Sequence, residues 1–257
     1  MRIASWNVNS LRVRLPQVIE WLESHQPDVL GLQETKVTDE AFPVAELADA
    51  GYHSQAHGQK TYNGVALLTR TPVADVVRGL DNFEDEQRRL VGATLDGIRI
   101  FNVYVPNGQS VGSGKYDYKL RWLAALRQQL AAELASHPAL IVMGDFNIAP
   151  EDRDVHDPDG WRGHILVSEP ERASLAALTD LGLEDSFRLF EQPEATFSWW
   201  DYRAAAFRRN RGLRIDLQLL SKPLAAACCR AAIDTQPRGS ERPSDHAPVF
   251  ADFDLSA

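Results

Sequence analysis

Short apolar runs that end in polar side chains recur along this sequence and predict buried strands. Residues 140–144 form one such run, and Asp145 and Asn147 follow where that strand should end. Side chains at positions i and i+2 of an extended chain point to the same side, so these two can act together. Residues 3–6 and 28–32 repeat the pattern and are followed by Asn7 and Glu34. A simple turn is the alternative around Asp145, because Gly, Asp and Asn all favour turns.

Further strands and three helices follow from the same patterning. Residues 65–69 and 73–77 are predicted to be consecutive strands of one antiparallel sheet, which residues 90–95 and 98–105 continue across a hairpin at Asp96 and Gly97. Helical spacing of apolar residues predicts helices over about residues 16–24 and 118–136. A capping box of Ser168 and Glu171 predicts the start of a third helix.

Two charged segments have a structural and a functional interpretation. Lys115, Lys119 and Arg121 stand near the start of the long helix, where a solvated face is the default and contact with phosphates is the alternative. The acidic residues between positions 151 and 160 are predicted to form a solvated loop, because their spacing matches no calcium-binding loop.

Composition limits the classes of protein to consider. The 257 residues contain no Gly/Ser-rich or repetitive linker, so we predict one domain over residues 1–257. A net charge of −9 argues against a protein that coats nucleic acid non-specifically, but a nuclease with carboxylates around a divalent metal remains compatible with it. The chain enters a strand directly after Met1, and no stretch is apolar enough to span a bilayer. These features predict a cytoplasmic protein without membrane association.

Aromatic and arginine residues alternate between positions 197 and 214. Such a segment suits nucleic acid, because rings can stack against bases while guanidinium groups bind phosphates. Packing in the core explains Trp199 and Trp200 equally well.

An aspartate and a histidine far apart in the sequence are expected to pair. Asp216 stands alone in the apolar run 215–220, and a buried carboxylate is costly without a partner. The side chains of Asp245 and His246 should point apart on extended backbone, so we expect Asp216 to orient His246. No activated Ser or Cys motif accompanies them, which makes water the expected nucleophile.

The side chains at the strand ends are mostly hard oxygen ligands, with one imidazole and no thiolate. They are Asn7, Glu34, Tyr104, Asn107, Asp145, Asn147, Asp216, Asp245 and His246. This set favours magnesium or manganese over zinc. It suits hydrolysis of a phosphate ester, where charge develops on phosphoryl oxygens.

Six segments in order resemble the motifs of the exonuclease III family of abasic-site endonucleases. They are residues 6–9, 32–36, 104–108, 144–147, 211–216 and 244–248, and the resemblance extends from Met1 nearly to the end of the chain. It implies an α/β fold of four layers, a sandwich in which two mixed β-sheets pack face to face with helices on the outside.

The resemblance also implies roles for individual residues. Glu34 would be the principal metal ligand, Asp145 would activate the attacking water, and His246 would stabilise the phosphate. The implied catalytic residues are Tyr104, Asp145, Asn147, Asp216 and His246. The implied metal ligands are Asn7, Glu34, Asp145, Asn147, Asp245 and His246. The implied substrate-binding residues are Lys36, Asn107, Trp199, Trp200, Arg211 and Leu213, with the Trp residues and Leu213 in the region of an abasic-sugar pocket.

The expected function is that of a monomeric, Mg²⁺-dependent DNA repair hydrolase, with Mn²⁺ as a substitute. It would cut double-stranded DNA 5′ to abasic sites and act at 3′ ends as an exonuclease and a phosphatase or phosphodiesterase. One alternative is another hydrolase of the endonuclease/exonuclease/phosphatase superfamily, acting on inositol phosphates, sphingomyelin or undamaged DNA. A regulator that binds nucleic acid without catalysis is the other, and the presence of Glu34, Asp145, Asp216 and His246 argues against it.

Overall fold

The computed structural model describes residues 1–255, which form twelve strands and six α-helices. The strands are β1 (Arg2–Asn7), β2 (Val29–Gln33), β3 (His53–His57), β4 (Val65–Thr69), β5 (Ala74–Arg78), β6 (Leu90–Leu95), β7 (Ile98–Tyr104), β8 (Leu140–Asp145), β9 (Leu183–Asp185), β10 (Asp216–Ser221), β11 (Cys228–Ile233) and β12 (Val249–Phe253). The helices are α1 (Leu11–His25), α2 (Val44–Asp49), α3 (Gly114–Ser136), α4 (Pro158–Trp161), α5 (Glu169–Thr179) and α6 (Lys222–Ala227). No helix within these residues is long and apolar enough to cross a bilayer.

The strands form two six-stranded mixed sheets. The first sheet has the order β11-β12-β1-β2-β4-β3, and the second has the order β5-β6-β7-β8-β10-β9. Each sheet has one parallel pair at its centre, β1 with β2 and β7 with β8, and its other neighbours are antiparallel. The centre of each sheet therefore directs two neighbouring strand ends to the same edge.

Three apolar clusters hold four layers together. Ile3 and Val29 of the first sheet meet Ile100 and Ile141 of the second between the two sheets. Helices α1 and α2 cover the outer face of the first sheet, and α3 and α5 cover the outer face of the second. The strands at the centre are buried on both faces, which explains their continuous apolar runs. The expected four-layer α/β sandwich is confirmed.

Polar side chains fix how the two sheets face each other. Gln33 Nε2 donates to Ser5 Oγ at 2.9 Å and, across the interface, to Asn102 Oδ1 at 2.6 Å. Asn102 Nδ2 donates to the backbone carbonyls of Leu32 and Ala66, each at 2.9 Å. Buried amides satisfied in this way tolerate only one relative position of the sheets. The contact thereby sets the ends of β2 and β7 opposite each other.

One predicted pairing is wrong. Strands β4 and β5 were expected in one sheet, but β4 pairs with β2 and β3 in the first sheet, whereas β5 pairs with β6 in the second. Every residue of β4 is buried, so this strand requires a neighbour on each side. The short connection through Thr71 and Pro72 crosses between the sheets instead of forming a hairpin. The hairpin expected at Asp96 and Gly97 does join β6 to β7.

The helices begin earlier than the apolar spacing predicted. Helix α1 starts at Leu11, so Pro16 lies inside it. The backbone N–H groups of Ser10 and Leu11, at the start of the helix, donate to the carbonyls of Glu34 and Thr35. Helix α3 starts at Gly114, where the Ser113 side chain accepts from Tyr116 N. The capping box of Ser168 and Glu171 at the start of α5 is confirmed.

Two charged residues expected in solvent are buried. Lys119 of α3 is fully buried and forms an ion pair with Glu171, whereas Lys115 and Arg121 are exposed. Asp154, within the segment predicted to be a solvated loop, is fully buried and accepts from Arg214 Nε at 2.7 Å. A buried charge requires a partner of opposite charge, and each partner comes from a distant part of the chain. Local spacing could not indicate such pairs.

Candidate active site

Strand ends from both sheets meet at one edge of the sandwich. Asp145 is the last residue of β8, and it is paired in register with Tyr104 of β7 and with Asp216 of β10. Asn7 ends β1 beside Gln33, the last residue of β2, and Glu34 follows directly. A simple turn does not describe Asp145, because this residue ends a strand and lies in register with Tyr104 and Asp216 on the two neighbouring strands.

A glycine allows β8 to approach β7 closely at this edge. Gly144 has a φ of +146°, and a Cβ atom at that position would lie 1.9 Å from the carbonyl oxygen of Val103. No other residue fits such a contact. Gly144 therefore brings Asp145 to its position beside Tyr104.

Asn7 joins two carboxylates that come from different sheets. Its Nδ2 donates to Glu34 Oε1 and to Asp145 Oδ2, each at 2.9 Å. Its Oδ1 accepts from the backbone N–H of Asn9 at 3.0 Å. The amide nitrogen thus faces the carboxylates, so in this arrangement Asn7 positions them and its oxygen points to its own loop.

Glu34 is held in the ionised form by its neighbours. Burial by itself would raise the pKa of this carboxyl, but Lys36 outweighs burial and the pKa lies below its ordinary value. Lys36 Nζ is 2.8 Å from Glu34 Oε2 and donates to Asn9 Oδ1 at 2.5 Å. The Tyr104 hydroxyl donates to Glu34 Oε1 at 3.0 Å. Burial and Glu34 raise the pKa of Tyr104 well above its usual value, so the phenol stays protonated.

The predicted pairing of His246 with Asp216 is present. His246 Nδ1 lies 2.8 Å from Asp216 Oδ2, and His246 Nε2 points towards Asp145 with 3.7 Å to its Oδ2. Burial would lower the pKa of His246, but the charges of Asp216 and Asp145 outweigh it and raise the pKa to about 10. An imidazolium therefore stands between two buried carboxylates and can donate from both ring nitrogens.

Asp145 and two asparagines form the other half of the site. The Asn147 backbone N–H donates to Asp145 Oδ1 at 2.8 Å, and its Nδ2 donates to Asp145 Oδ2 at 3.2 Å. Asn107 Nδ2 donates to Asn147 Oδ1 at 3.1 Å. Burial, and then the charge of Asp216, raise the pKa of Asp145 to about 7 against the opposing effect of His246. A carboxyl poised near neutrality suits a group that must accept a proton.

Two carboxylates and one imidazole converge within this site. One ligand atom each from Glu34, Asp145 and His246 lies within 4.8 Å of the others. Asp245 is not one of these three residues, and its two oxygens accept from Asn9 Nδ2 at 3.0 Å and Trp199 Nε1 at 3.1 Å. Two converging carboxylates are the donor set that hard divalent cations prefer. Asn147 directs its amide nitrogen to Asp145, as Asn7 does.

The expected substrate-binding residues differ in exposure. Trp199 is half-buried, Asn107 and Arg211 are exposed, and Lys36 is partly exposed. Trp200 is 2% exposed and packs edge-on against Phe207 with ring centroids 5.1 Å apart. Leu213 is fully buried. Core packing, the alternative considered for the tryptophans, therefore describes Trp200.

Three polar residues were missing from the predicted site. Ser198 Oγ donates to Asp216 Oδ2 at 2.6 Å. Ser244 Oγ donates to the Asn7 carbonyl at 2.7 Å and accepts from the His246 backbone N–H at 3.2 Å. Asn9 contacts both Lys36 and Asp245. Asn9 and Ser244 lie inside motifs that the sequence singled out, but nothing in the pattern around Ser198 distinguished it from a packing residue.

Two facing mixed sheets with a polar site at one edge, where two carboxylates converge with a histidine, are the architecture of a class of phosphoesterases. The sequence profile of the Endonuclease/Exonuclease/phosphatase family matches residues 4–246. The chain belongs to this family.

Individual relatives place the chain among proteins of the exonuclease III type. It is 42% identical to exodeoxyribonuclease III of Haemophilus influenzae, over 98% of this chain and 100% of the relative. A 3′ phosphatase from Neisseria, solved with a product DNA hairpin, superposes with a TM-score of 0.98 at 47% identity and covers 99% of this chain and 100% of its own. An AP endonuclease from Archaeoglobus fulgidus superposes with a TM-score of 0.96 at 40% identity, over 99% and 100% of the two chains.

Proposed function

We propose that this protein is a Mg²⁺-dependent DNA repair phosphodiesterase that cuts the backbone 5′ to abasic sites and processes 3′ ends as an exonuclease and phosphatase. The convergence of Glu34, Asp145 and the His246–Asp216 pair within one small polar site carries the proposal. Relatives with the names exodeoxyribonuclease III, 3′ phosphatase and AP endonuclease support the choice of DNA as substrate.

Asp145 is the proposed base for the attacking water. It would take the proton of the attacking water, and Asn147 fixes both of its oxygens by hydrogen bonds. His246, kept protonated by Asp216 and Asp145, would donate from Nε2 to a phosphoryl oxygen as negative charge develops there. Asn107 would donate to the same phosphate with the Nδ2 hydrogen that it does not give to Asn147, and Tyr104 would do so by turning its hydroxyl hydrogen from Glu34 to the phosphate.

Glu34 and Asp145 are the carboxylates that would hold Mg²⁺, with Mn²⁺ as a substitute. When bound, the ion would stabilise negative charge on the phosphoryl oxygens. A protonated imidazole has no free lone pair for a metal, so we assign His246 to the phosphate rather than to the ion. Metal ligation by Asn7, Asn147 and Asp245 stays a prediction from sequence.

Double-stranded DNA would lie across Lys36, Trp199 and Arg211, the exposed or partly exposed members of the predicted substrate set. Processing of 3′ ends has specific support, because the 3′ phosphatase from Neisseria is more similar to this chain than the AP endonuclease from Archaeoglobus fulgidus is. The burial of Trp200 and Leu213 leaves Trp199 as the accessible member of the expected abasic-sugar pocket.

Cytoplasmic location, a monomeric state and a single domain stay predictions.

The decisive experiment is cleavage of three labelled duplexes on denaturing gels, in Mg²⁺ and in EDTA. One duplex carries a tetrahydrofuran abasic analogue, one a nick with a 3′-phosphate, and one is undamaged. We expect Mg²⁺-dependent incision 5′ to the analogue, removal of the 3′-phosphate, and shortening of the undamaged strand from its 3′ end.

Matched variants show whether the site described here is responsible for cleavage. Glu34→Gln should abolish all three reactions, whereas Glu23→Gln, an isosteric change on the exposed face of α1, should leave them unchanged. Binding of all three duplexes without cleavage of any would contradict the proposal and favour the non-catalytic regulator. Cleavage that persists in Glu34→Gln would contradict the assigned site.

A further inference from the structure

Lys119 lies behind the site and is fully buried, with no contact to solvent. Its Nζ donates to the backbone carbonyl of Asn147 at 2.7 Å and to that of Asn107 at 3.2 Å. The third acceptor is Glu171, through a short ion pair. An ammonium group has three donors, and here each of them has an acceptor.

Glu171 has a complete set of partners as well. Besides Lys119, its Oε1 accepts from the Leu166 backbone N–H at 3.1 Å. Its Oε2 accepts from the backbone N–H of Ser168 at 3.1 Å and from Ser168 Oγ at 2.6 Å. The carboxylate is therefore fixed at the start of α5, and it fixes Lys119 in turn.

The bond from Lys119 stabilises an unusual backbone conformation at Asn147. Asn147 has a φ of +50°, in the left-handed region, which is uncommon for residues with a side chain although asparagine adopts it more readily than most. This conformation turns its backbone N–H to Asp145 Oδ1 and its carbonyl to Lys119. The Asn147 carbonyl accepts from Lys119 and the Asn147 backbone N–H donates to Asp145. By fixing the carbonyl, Lys119 also fixes the direction in which the N–H points towards Asp145.

Lys119 also holds Asn107 against Asn147. These residues lie in the segments after β7 and β8, and one ammonium group bonds to the backbone of both. On the side of the site, Asn107 Nδ2 donates to Asn147 Oδ1. The two asparagines are thus connected in two ways. Their side chains share a hydrogen bond within the site, and their backbone carbonyls both accept from the buried Lys119 ammonium group.

We propose that Lys119, fixed by Glu171, is a positioning residue that sets the Asn107–Asn147–Asp145 geometry for catalysis. A buried ion pair is seldom needed for stability alone, because apolar residues of similar volume often stabilise as much. An apolar pair would leave the two carbonyls without a donor, so the specific gain from Lys119 is the placement of Asn107 and Asn147. The inference rests on the proposed function, since it concerns the rate of DNA cleavage.

The test compares two ion pairs that each include one residue of α3: Lys119–Glu171, which is fully buried, and Arg99–Glu133, in which Arg99 is buried and Glu133 is partly buried. Lys119→Met/Glu171→Gln removes both charges behind the site. Arg99→Met/Glu133→Gln removes the pair at the other end of β7, where Arg99 Nε lies 3.0 Å from Glu133 Oε2. We expect kcat on the 3′-phosphate duplex to fall at least about tenfold in the first variant and to stay within about twofold in the second. Binding of the duplex in EDTA should stay within about twofold of wild type in both.

A third pair keeps hydrogen-bonding groups at both positions and checks the interpretation. In Lys119→Gln/Glu171→Gln the amide can still donate to one carbonyl, so kcat should lie between wild type and the Met variant. This pair also replaces the Met variant if circular dichroism shows that the latter does not fold. Equal loss of kcat in the control pair would mean that the effect is one of general stability.

The results separate this inference from the proposed function. A wild-type protein that cleaves none of the three duplexes contradicts the proposed function. A wild type that cleaves, together with folded Lys119 variants whose kcat is within about twofold of it, overturns the inference and leaves the function standing.

Discussion

Ser198 Oγ donates to Asp216 Oδ2 at 2.6 Å, and the same oxygen accepts from His246 Nδ1 at 2.8 Å. Ser198 Oγ in turn accepts from the backbone N–H groups of Ile215 and Asp216, at 3.0 and 3.1 Å. A hydroxyl with one donor and two acceptor positions is thereby fully used. Ser198 thus joins the aromatic and arginine-rich residues 197–214 directly to the Asp216–His246 pair.

Asp216→Asn should reduce turnover far more than DNA binding. The amide keeps the size of the side chain but cannot balance the charge of an imidazolium, so the pKa of His246 would fall. We expect kcat to fall at least about a hundredfold, with the Kd for duplex in EDTA changed less than about threefold. Single-turnover cleavage and fluorescence anisotropy measure the two quantities. An unchanged kcat would remove His246–Asp216 from the mechanism.

Ser198→Ala should have a smaller effect of the same kind. Asp216 keeps its contact with His246 but loses one of its two side-chain donors, so the carboxylate is held less firmly. We expect a loss in kcat of about tenfold and a loss of unfolding free energy of about 1–2 kcal/mol. Ser136→Ala at the exposed end of α3 is the control for removal of a serine hydroxyl. If kcat fell as far as in Asp216→Asn, Ser198 would need a direct role.

The contribution of His246 to stability should decline in alkaline solution. Its pKa is raised from 6.5 to about 10, so the folded protein binds this proton more tightly than the unfolded chain does. The resulting stabilisation is fully present below pH 6.5 and is lost as the pH rises through 10. Urea unfolding of wild type and His246→Gln in EDTA should give a difference in unfolding free energy that shrinks over this range. A difference that is constant with pH would contradict the charged state assigned to His246.

Gly144→Ala should destabilise the protein strongly. The new methyl group would overlap the Val103 carbonyl, and β8 would have to separate from β7. We expect a loss of about 3 kcal/mol or more, measured by urea unfolding. Gly97→Ala is the control, because Gly97 has a φ of +80° but open space around its Cα, and it should lose only about 1 kcal/mol. Similar losses in both variants would mean that the close approach at Gly144 is unimportant.

Mg²⁺ should raise the melting temperature through the site that contains Glu34. A ligand that binds only the folded state stabilises it by mass action, so Tm should increase with Mg²⁺ concentration. Glu34→Gln should lose most of this increase, and Glu23→Gln should keep it. Differential scanning fluorimetry with a magnesium titration measures the effect. An equal increase in Glu34→Gln would locate the stabilising ion elsewhere.

Some of the site followed from residue order alone. Asp216 is an isolated carboxylate in an apolar strand, and neighbouring side chains of a strand, such as those of Asp245 and His246, point apart. The pairing of Asp216 with His246 could therefore be deduced from the period of a strand. The pairing of β4 could not be deduced in this way. Its apolar run is compatible with either sheet, and only contacts with β2 and β3, distant in sequence, decide between them.

The sequence by itself determined which side chains end the central strands, because strand periodicity and residue chemistry are local properties. It therefore indicated Asn7, Glu34, Asp145 and Asp216 as one polar set. The tertiary structure decided which charges are buried and what holds them, as with Lys119 behind Asn147 and Ser198 beside Asp216. Burial and its compensating hydrogen bonds depend on residues brought together from distant segments, and a linear pattern does not contain those contacts.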